Sequence, residues 1–398
     1  MTCRHAPRPG LALRGIVSLA FGLTLVALVA CSQPQPIPSP TARALPSMTS
    51  KPTFTPVPSP LPTFTPEEAT ATTAPTATPL PPTLTATPTP APTGTADPSL
   101  SPLTGLHVSD PGLLARRVLA VRIGNDPIIR PQEGLGQAAI VYEEVMDGWT
   151  VTRFTALYLE SSPTRVRPIR SARLSSLQIA PQYDAALVHT GASDRIRWLL
   201  SKASFVNLDE FFHPKPFSVL GGYDWRGRFY TSVERLHSYL DERGLEATAP
   251  IKGYTFDLQA PAGQPAASIH IPYPSSSLVD WRYEPTTGRY MRLVQGQPHL
   301  EGLTKEQITA DNVIILYAEH KKTDIVEDTN GATAIDIVLT GSGRAQLCRD
   351  GVMVECRWVQ KAANELIQYY DNDGKLVPLR PGKTWIQLVP TDYSLTIN

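Results

Sequence analysis

The chain has 398 residues, with 36 Lys and Arg against 36 Asp and Glu, a formal net charge of zero. Balanced charge excludes a global field that draws nucleic acid or acidic lipid, so any anion preference has to be local and no nucleic-acid partner is expected. Forty prolines, crowded ahead of position 100, exclude a packed core there and leave about 300 residues for folded structure, enough for two ordinary cores.

In chain order, Arg4, Arg8 and Arg14 precede Ile16 to Ala30, an apolar run of about fifteen residues. This is the pattern of a signal-peptide hydrophobic region, slightly short for a stable spanning helix. The run ends Leu28-Val29-Ala30-Cys31, which resembles the lipobox of bacterial lipoproteins, with small Ala30 before the cleavage point. The resemblance implies removal of residues 1–30, lipidation of Cys31, and a protein anchored in the cell membrane and facing its extracellular or periplasmic side. Ser32 follows instead of the aspartate typical of inner-membrane retention, which leaves either membrane open.

Residues 31–100 form the next segment. From Gln33 to about Ser99 it is Pro, Thr, Ser and Ala, as in Thr83-Leu-Thr-Ala-Thr-Pro-Thr-Pro-Ala-Pro92. Such a composition has no core to bury and favours polyproline II, so a disordered stalk is expected. About 65 residues at about 3.1 Å each set an upper reach on the order of 200 Å.

Composition shifts at Ser101. Arg117 to Ile123, Ala138 to Tyr142, Phe154 to Leu159 and Ala185 to His189 are short apolar runs bounded by Gly, Pro or charge, and read as buried strands. Leu174 to Ala180 has helical apolar offsets and meets Pro181. A helix from Ser193 to Lys202 is expected with Ser193 as N-cap, and another after Thr231-Ser-Val-Glu234, which fits a capping box, with Gly244 as the stop.

From about Phe256 the period changes to two. Ser268–Tyr273, Leu278–Tyr283, Tyr290–Val294, Asn312–Tyr317, Ala334–Leu339, Arg344–Cys348 and Trp385–Val389 read as strands. Thr286-Thr-Gly288 and Asp350-Gly351 read as hairpin turns. The expected fold class is therefore α+β. An N-terminal α/β-type mixed-sheet domain (101–255) is followed by a mainly β C-terminal domain (256–398), after the signal peptide and linker. Trp281, Trp358 and Trp385 read as core residues more than as a sugar platform.

Cys348 and Cys356 are the only thiols in the globular region, and export makes a disulfide between them chemically feasible. A two-residue turn at Asp350-Gly351 sets Cys348 opposite Met353, out of simple register with Cys356. Neither CxxC nor a His pair accompanies them, so no metal site is expected.

Ser101-Pro-Leu-Thr-Gly, Arg130-Pro-Gln, Ala139-Ile-Val-Tyr-Glu-Glu, Thr152-Arg-Phe, Pro168-Ile-Arg-Ser-Ala-Arg and His189-Thr-Gly-Ala-Ser occur in this order. Together they resemble the YerB-like lipoproteins over most of residues 101–398. The resemblance implies a two-part globular region with no established activity.

GxSxG, HExxH, the P-loop and GxGxxG in a strand-turn-helix setting are all missing, and no cofactor is implied. What remains is a cluster of Arg153, Arg167, Arg170 and Arg173, with Glu143, Glu144, His189 and Ser193 on neighbouring elements. Guanidinium forks suit bidentate capture of phosphate or carboxylate. The blander and heavier reading has Glu143 and Glu144 pair with these arginines and hold the corner together, with His189 a satisfied core histidine. Two function classes follow. One is a surface-tethered binding or scaffolding lipoprotein whose arginines recognise an anionic envelope ligand or a protein partner. The other is an envelope enzyme of phosphoryl or glycosyl transfer or hydrolysis, which needs two carboxylates converging beside the arginines.

Overall fold

The computed structural model describes residues 97–246 and 251–398. The signal peptide, Cys31 and all but the last residues of the linker lie outside the described residues. The fold grows from one large mixed sheet. Its N-terminal strands are β1 (Leu119–Gly124), β2 (Ile140–Val145), β3 (Thr152–Tyr158), β4 (Ala186–His189) and β5 (Asn207–Asp209). All residues of β1 to β4 are buried, which is why their sequences run apolar without strict alternation.

The C-terminal half contributes β6 (Ser268–Ile271), β7 (Val279–Glu284), β8 (Arg289–Val294), β9 (Asn312–Val326), β10 (Thr333–Val338), β11 (Gly341–Arg349), β12 (Val352–Gln360), β13 (Gln368–Tyr370) and β14 (Thr384–Pro390). The order across the large sheet is β13-β12-β11-β9-β14-β2-β3-β1-β4-β5. Strand β14 lies parallel to both β9 and β2. The composition boundary near 255 is therefore crossed by one continuous sheet, because β14 buries both its edges between the halves. Strands β6, β7 and β8 belong to a second sheet, and Trp281 on β7 meets Trp385 on β14 edge-on, ring centroids 5.3 Å apart. Trp281, Trp358 and Trp385 are all buried, as core residues are.

Among the described residues three α-helices attach to the N-terminal half: α1 (Ser176–Ile179), α2 (Asp194–Leu200) and α3 (Val233–Glu242). Helix α3 buries Leu236, Tyr239 and Leu240 and ends before Gly244, whose φ of +63° suits glycine. Its cap lies one residue later than the sequence suggests. Ser232 accepts from the Arg235 N–H at 3.3 Å, while Thr231 Oγ1 donates instead to Pro216 O at 2.7 Å. Ser193 occupies the N-cap position of α2, yet its side chain makes no capping bond because it is used elsewhere.

The Asp350-Gly351 turn has φ of +53° and +74°, and Cys348 pairs across the hairpin with Met353. Cys356 opposes Ala345, and both cysteines are free and buried. No bridge joins them, since the register holds them on different rungs. Beyond Ala318, strand β9 leaves the sheet and pairs only with β10, so that residues 319–338 form a two-stranded arm.

Candidate functional site

Cross-strand register creates the site. Arg153 on β3 stands opposite Glu144 on β2 and opposite Gly124 on β1, and Arg122 opposes Thr155 two residues along. Residues directly opposite share a face, so Glu144, Arg153 and Arg122 project together at one end of the sheet. Arg170 joins them because Gly124 has no side chain: a Cβ there would lie 2.6 Å from Arg170 Cγ.

The ion pairs sort these arginines into two groups. Arg122 is ion-paired, with Glu144, and donates to Thr155 Oγ1 at 2.5 Å, while Ser175 Oγ donates to the same carboxylate at 3.0 Å; its Nη2 is buried without a hydrogen bond. Arg167 is also ion-paired, although its Nε is buried without a hydrogen bond. It pairs with Glu133 at 3.1 Å, donates to Gly227 O at 3.1 Å and lies 4.4 Å from the Tyr223 ring centroid. Arg173 pairs with Asp147 and, at 3.3 Å, with Glu327.

Arg153 differs. It is only 5% exposed, and its side chain makes a single hydrogen bond, Nη1 to Ser171 O at 3.1 Å. Among the described residues no carboxylate lies within ion-pair distance of it. Burial, then the fields of Arg173, Arg170 and Arg122, pull its pKa well below the usual guanidinium value, with Asp126 opposing. Arg170 likewise has no carboxylate partner among the described residues, and its Nε is buried without a hydrogen bond. Burial lowers its pKa as well, and the Trp225 ring lies 5.1 Å from its Cζ. Two guanidiniums held together with unused donors are what an anion site requires.

The remaining expected residues are distributed by the pleat. Glu143 points to the opposite face from Glu144 and takes both oxygens to Arg292 on β8, at 2.9 and 2.7 Å. It also accepts from Thr152 Oγ1 at 2.7 Å, and it is no part of the arginine corner. His189 is fully buried, with Nδ1 2.9 Å from Gly191 O and Nε2 2.8 Å from the Asn207 amide. Both contacts are to acceptor oxygens, Gly191 O and Asn207 Oδ1, and burial pushes the pKa down. Ser193 Oγ donates to Glu327 Oε1 at 3.2 Å.

Sequence reasoning therefore brings Arg153, Arg170, Arg173 and Ser193 to one place, and misplaces Glu143 and Arg167. It missed Asp147, Asp126 and Glu327. Asp147 closes the same strand end as Glu144 and was within sight of a local reading. Glu327 arrives from the tip of a distant arm and leaves no local signal.

Among the described residues no group of three or more His, Cys, Asp or Glu side chains is placed to hold a metal ion. No described helix is long and apolar enough to cross a membrane.

The class defined here is an α+β protein whose two sequence halves share one mixed sheet. Residues 103–246 match the family described as protein of unknown function (DUF3048), N-terminal domain, and residues 269–386 match its C-terminal domain. A curated relative, "Putative lipoprotein YerB" of Bacillus subtilis (strain 168), is 30% identical over 311 residues, which cover 74% of this chain and 88% of the relative. The crystal structure of YerB from Bacillus subtilis aligns with a TM-score of 0.65 at 27% identity, covering 75% of this chain and 99% of that one. The chain belongs to the DUF3048 family, as the ordered motifs from Ser101 to Ser193 imply.

Proposed function

We propose that this protein is a lipid-anchored, surface-tethered binding or scaffolding module that captures an anionic envelope ligand or the acidic face of a partner. The Leu28-Val29-Ala30-Cys31 lipobox supports the anchor, as does the name of the Bacillus subtilis relative. On this reading residues 31–100 are the leash, and segments 101–255 and 256–398 are the two parts of the binding body.

One observation carries the binding role. Arg153 is 5% exposed as a residue, keeps donors unbonded to protein and meets no carboxylate among the described residues. An isolated buried cation is costly, and an incoming anion repays that cost. The enzyme alternative asks for two carboxylates beside the arginines. Asp147 and Glu327 do converge there, but as partners of Arg173, which favours a paired recognition rim over a catalytic acid-base couple.

The test is retention of the full chain on immobilised poly-L-glutamate and polyphosphate. Arg153→Gln with Arg170→Gln is expected to abolish retention on both while leaving the thermal transition nearly unchanged. Unaltered retention with a large loss of stability shows that the cluster is structural.

A further inference from the structure

The Glu327 carboxylate comes from the arm of residues 319–338, where its N–H donates to Ala332 O at 2.8 Å and Asp328 Oδ1 closes the tip by accepting from Asn330 and Ala332 N–H. Its side chain is fully buried. Oε1 accepts from Ser193 Oγ at 3.2 Å, while Oε2 lies 3.3 Å from Arg173 Nε and makes no hydrogen bond. An acceptor oxygen buried with its hydrogen bonds unmade is a poorly satisfied occupant.

Strand β10 is anchored, with Ala334, Ile335 and Ile337 buried in the core, whereas the tip beside Glu327 leaves Val326 and Asp328 exposed. Gln178 Nε2 donates to Asp336 Oδ1 at 3.0 Å, and the Trp149 and His320 rings lie 5.9 Å apart. The tip bonds mainly within itself, so it can lift without exposing the core that β10 packs into.

Charge identifies the ligand class. Arg153, Arg170 and Arg173 face the fixed carboxylates of Asp126 and Asp147, with Arg122 already neutralised by Glu144. Three positive charges against two negative leave a single positive charge, which Glu327 neutralises. A dianionic phosphate in its place would be opposed by Asp147, and a single carboxylate balances the corner. Burial, then Asp147, raise the pKa of Glu327, while Arg173, Ser193 and Arg153 lower it.

Resting on the binding role proposed above, we infer that the corner is a carboxylate site, occupied in the closed protein by the chain's own Glu327 and opened to the carboxylate of an acidic peptide when the tip of the arm lifts. The occupant is itself a peptide side chain, which is why an acidic peptide is the ligand that reproduces its contacts.

The experiment compares binding of the full chain to poly-L-glutamate and to polyphosphate. Glu327→Gln keeps the arm and the Ser193 bond but removes the competing charge. Its affinity for poly-L-glutamate is expected to rise about tenfold, with a smaller rise for polyphosphate. Asp328→Ala loosens the tip without touching the corner, should raise affinity in the same direction, and carries the test if Glu327→Gln does not fold. Unchanged or weaker binding in both variants, with Arg153→Gln still abolishing it, overturns the occupancy and leaves the anion site standing. An equal or larger gain for polyphosphate overturns the carboxylate assignment. If Arg153→Gln has no effect, or no variant binds either polymer, the site itself is overturned.

Discussion

Arg292 Nη2 lies 2.7 Å from Glu143 Oε2, and both side chains are fully withdrawn from solvent. This pair joins the two sheets, with Arg292 on β8 stacked 4.8 Å from the Trp385 ring centroid and Trp385 Nε1 3.1 Å from the same carboxylate. Breaking a buried pair strands the surviving charge, which costs about 3–5 kcal/mol. Arg292→Met is therefore expected to lower unfolding free energy by that amount in urea titration, whereas retention on anionic polymer is unaffected in the fraction that remains folded.

Acid sensitivity follows from two buried histidines, His189 and His299, and the half-buried His320. Burial lowers the pKa of His189, His299 and His320, with the cations Arg292 and Arg130 adding to it at His299. At His299, Nδ1 faces the Arg292 guanidinium and so accepts, and Nε2 donates to Gln132 Oε1 at 2.7 Å, so a second proton would face a cation. The sign is fixed: a depressed folded pKa contributes stability above the unfolded value of about 6.5 and loses it as pH falls toward the folded value. Each such histidine contributes a slope of about 1.4 kcal/mol per pH unit below that point. Thermal unfolding between pH 7.5 and 5 is expected to show a falling midpoint, and His189→Asn with its proton uptake removed should reduce the slope. A midpoint independent of pH in that window would contradict this assignment.

Gly124 is a packing requirement with a functional readout. An added Cβ meets Arg170 Cγ at 2.6 Å and Ile129 Cδ1 at 2.8 Å, so Gly124→Ala must push the guanidinium stem aside. Overpacking of this kind costs about 1–3 kcal/mol. The expected result is a modest loss in thermal midpoint with a disproportionate loss of retention on poly-L-glutamate, read side by side on one preparation.

Periodicity located the strands well because burial on both faces leaves apolar runs, and the Asp350-Gly351 hairpin with its Cys348–Met353 register follows from the turn alone. What local reading could not supply was partnership. Adjacent Glu143 and Glu144 look alike in the chain, yet the pleat sends one to Arg292 and the other to Arg122. Arg167 sits three residues before Arg170, but Glu133 captures it from a loop earlier in the chain. The union of the halves through β14 depends on parallel pairing across more than two hundred residues, for which sequence holds no short-range mark.

The most direct measurement is a crystal of the Glu327→Gln variant, whose corner keeps its net positive charge, soaked in bromide that is located by anomalous scattering. A monovalent anion is expected within hydrogen-bonding distance of the Arg153 and Arg170 guanidiniums. Bromide bound elsewhere on the molecule, with nothing between those two side chains, would contradict the claim that they form a receptive anion site.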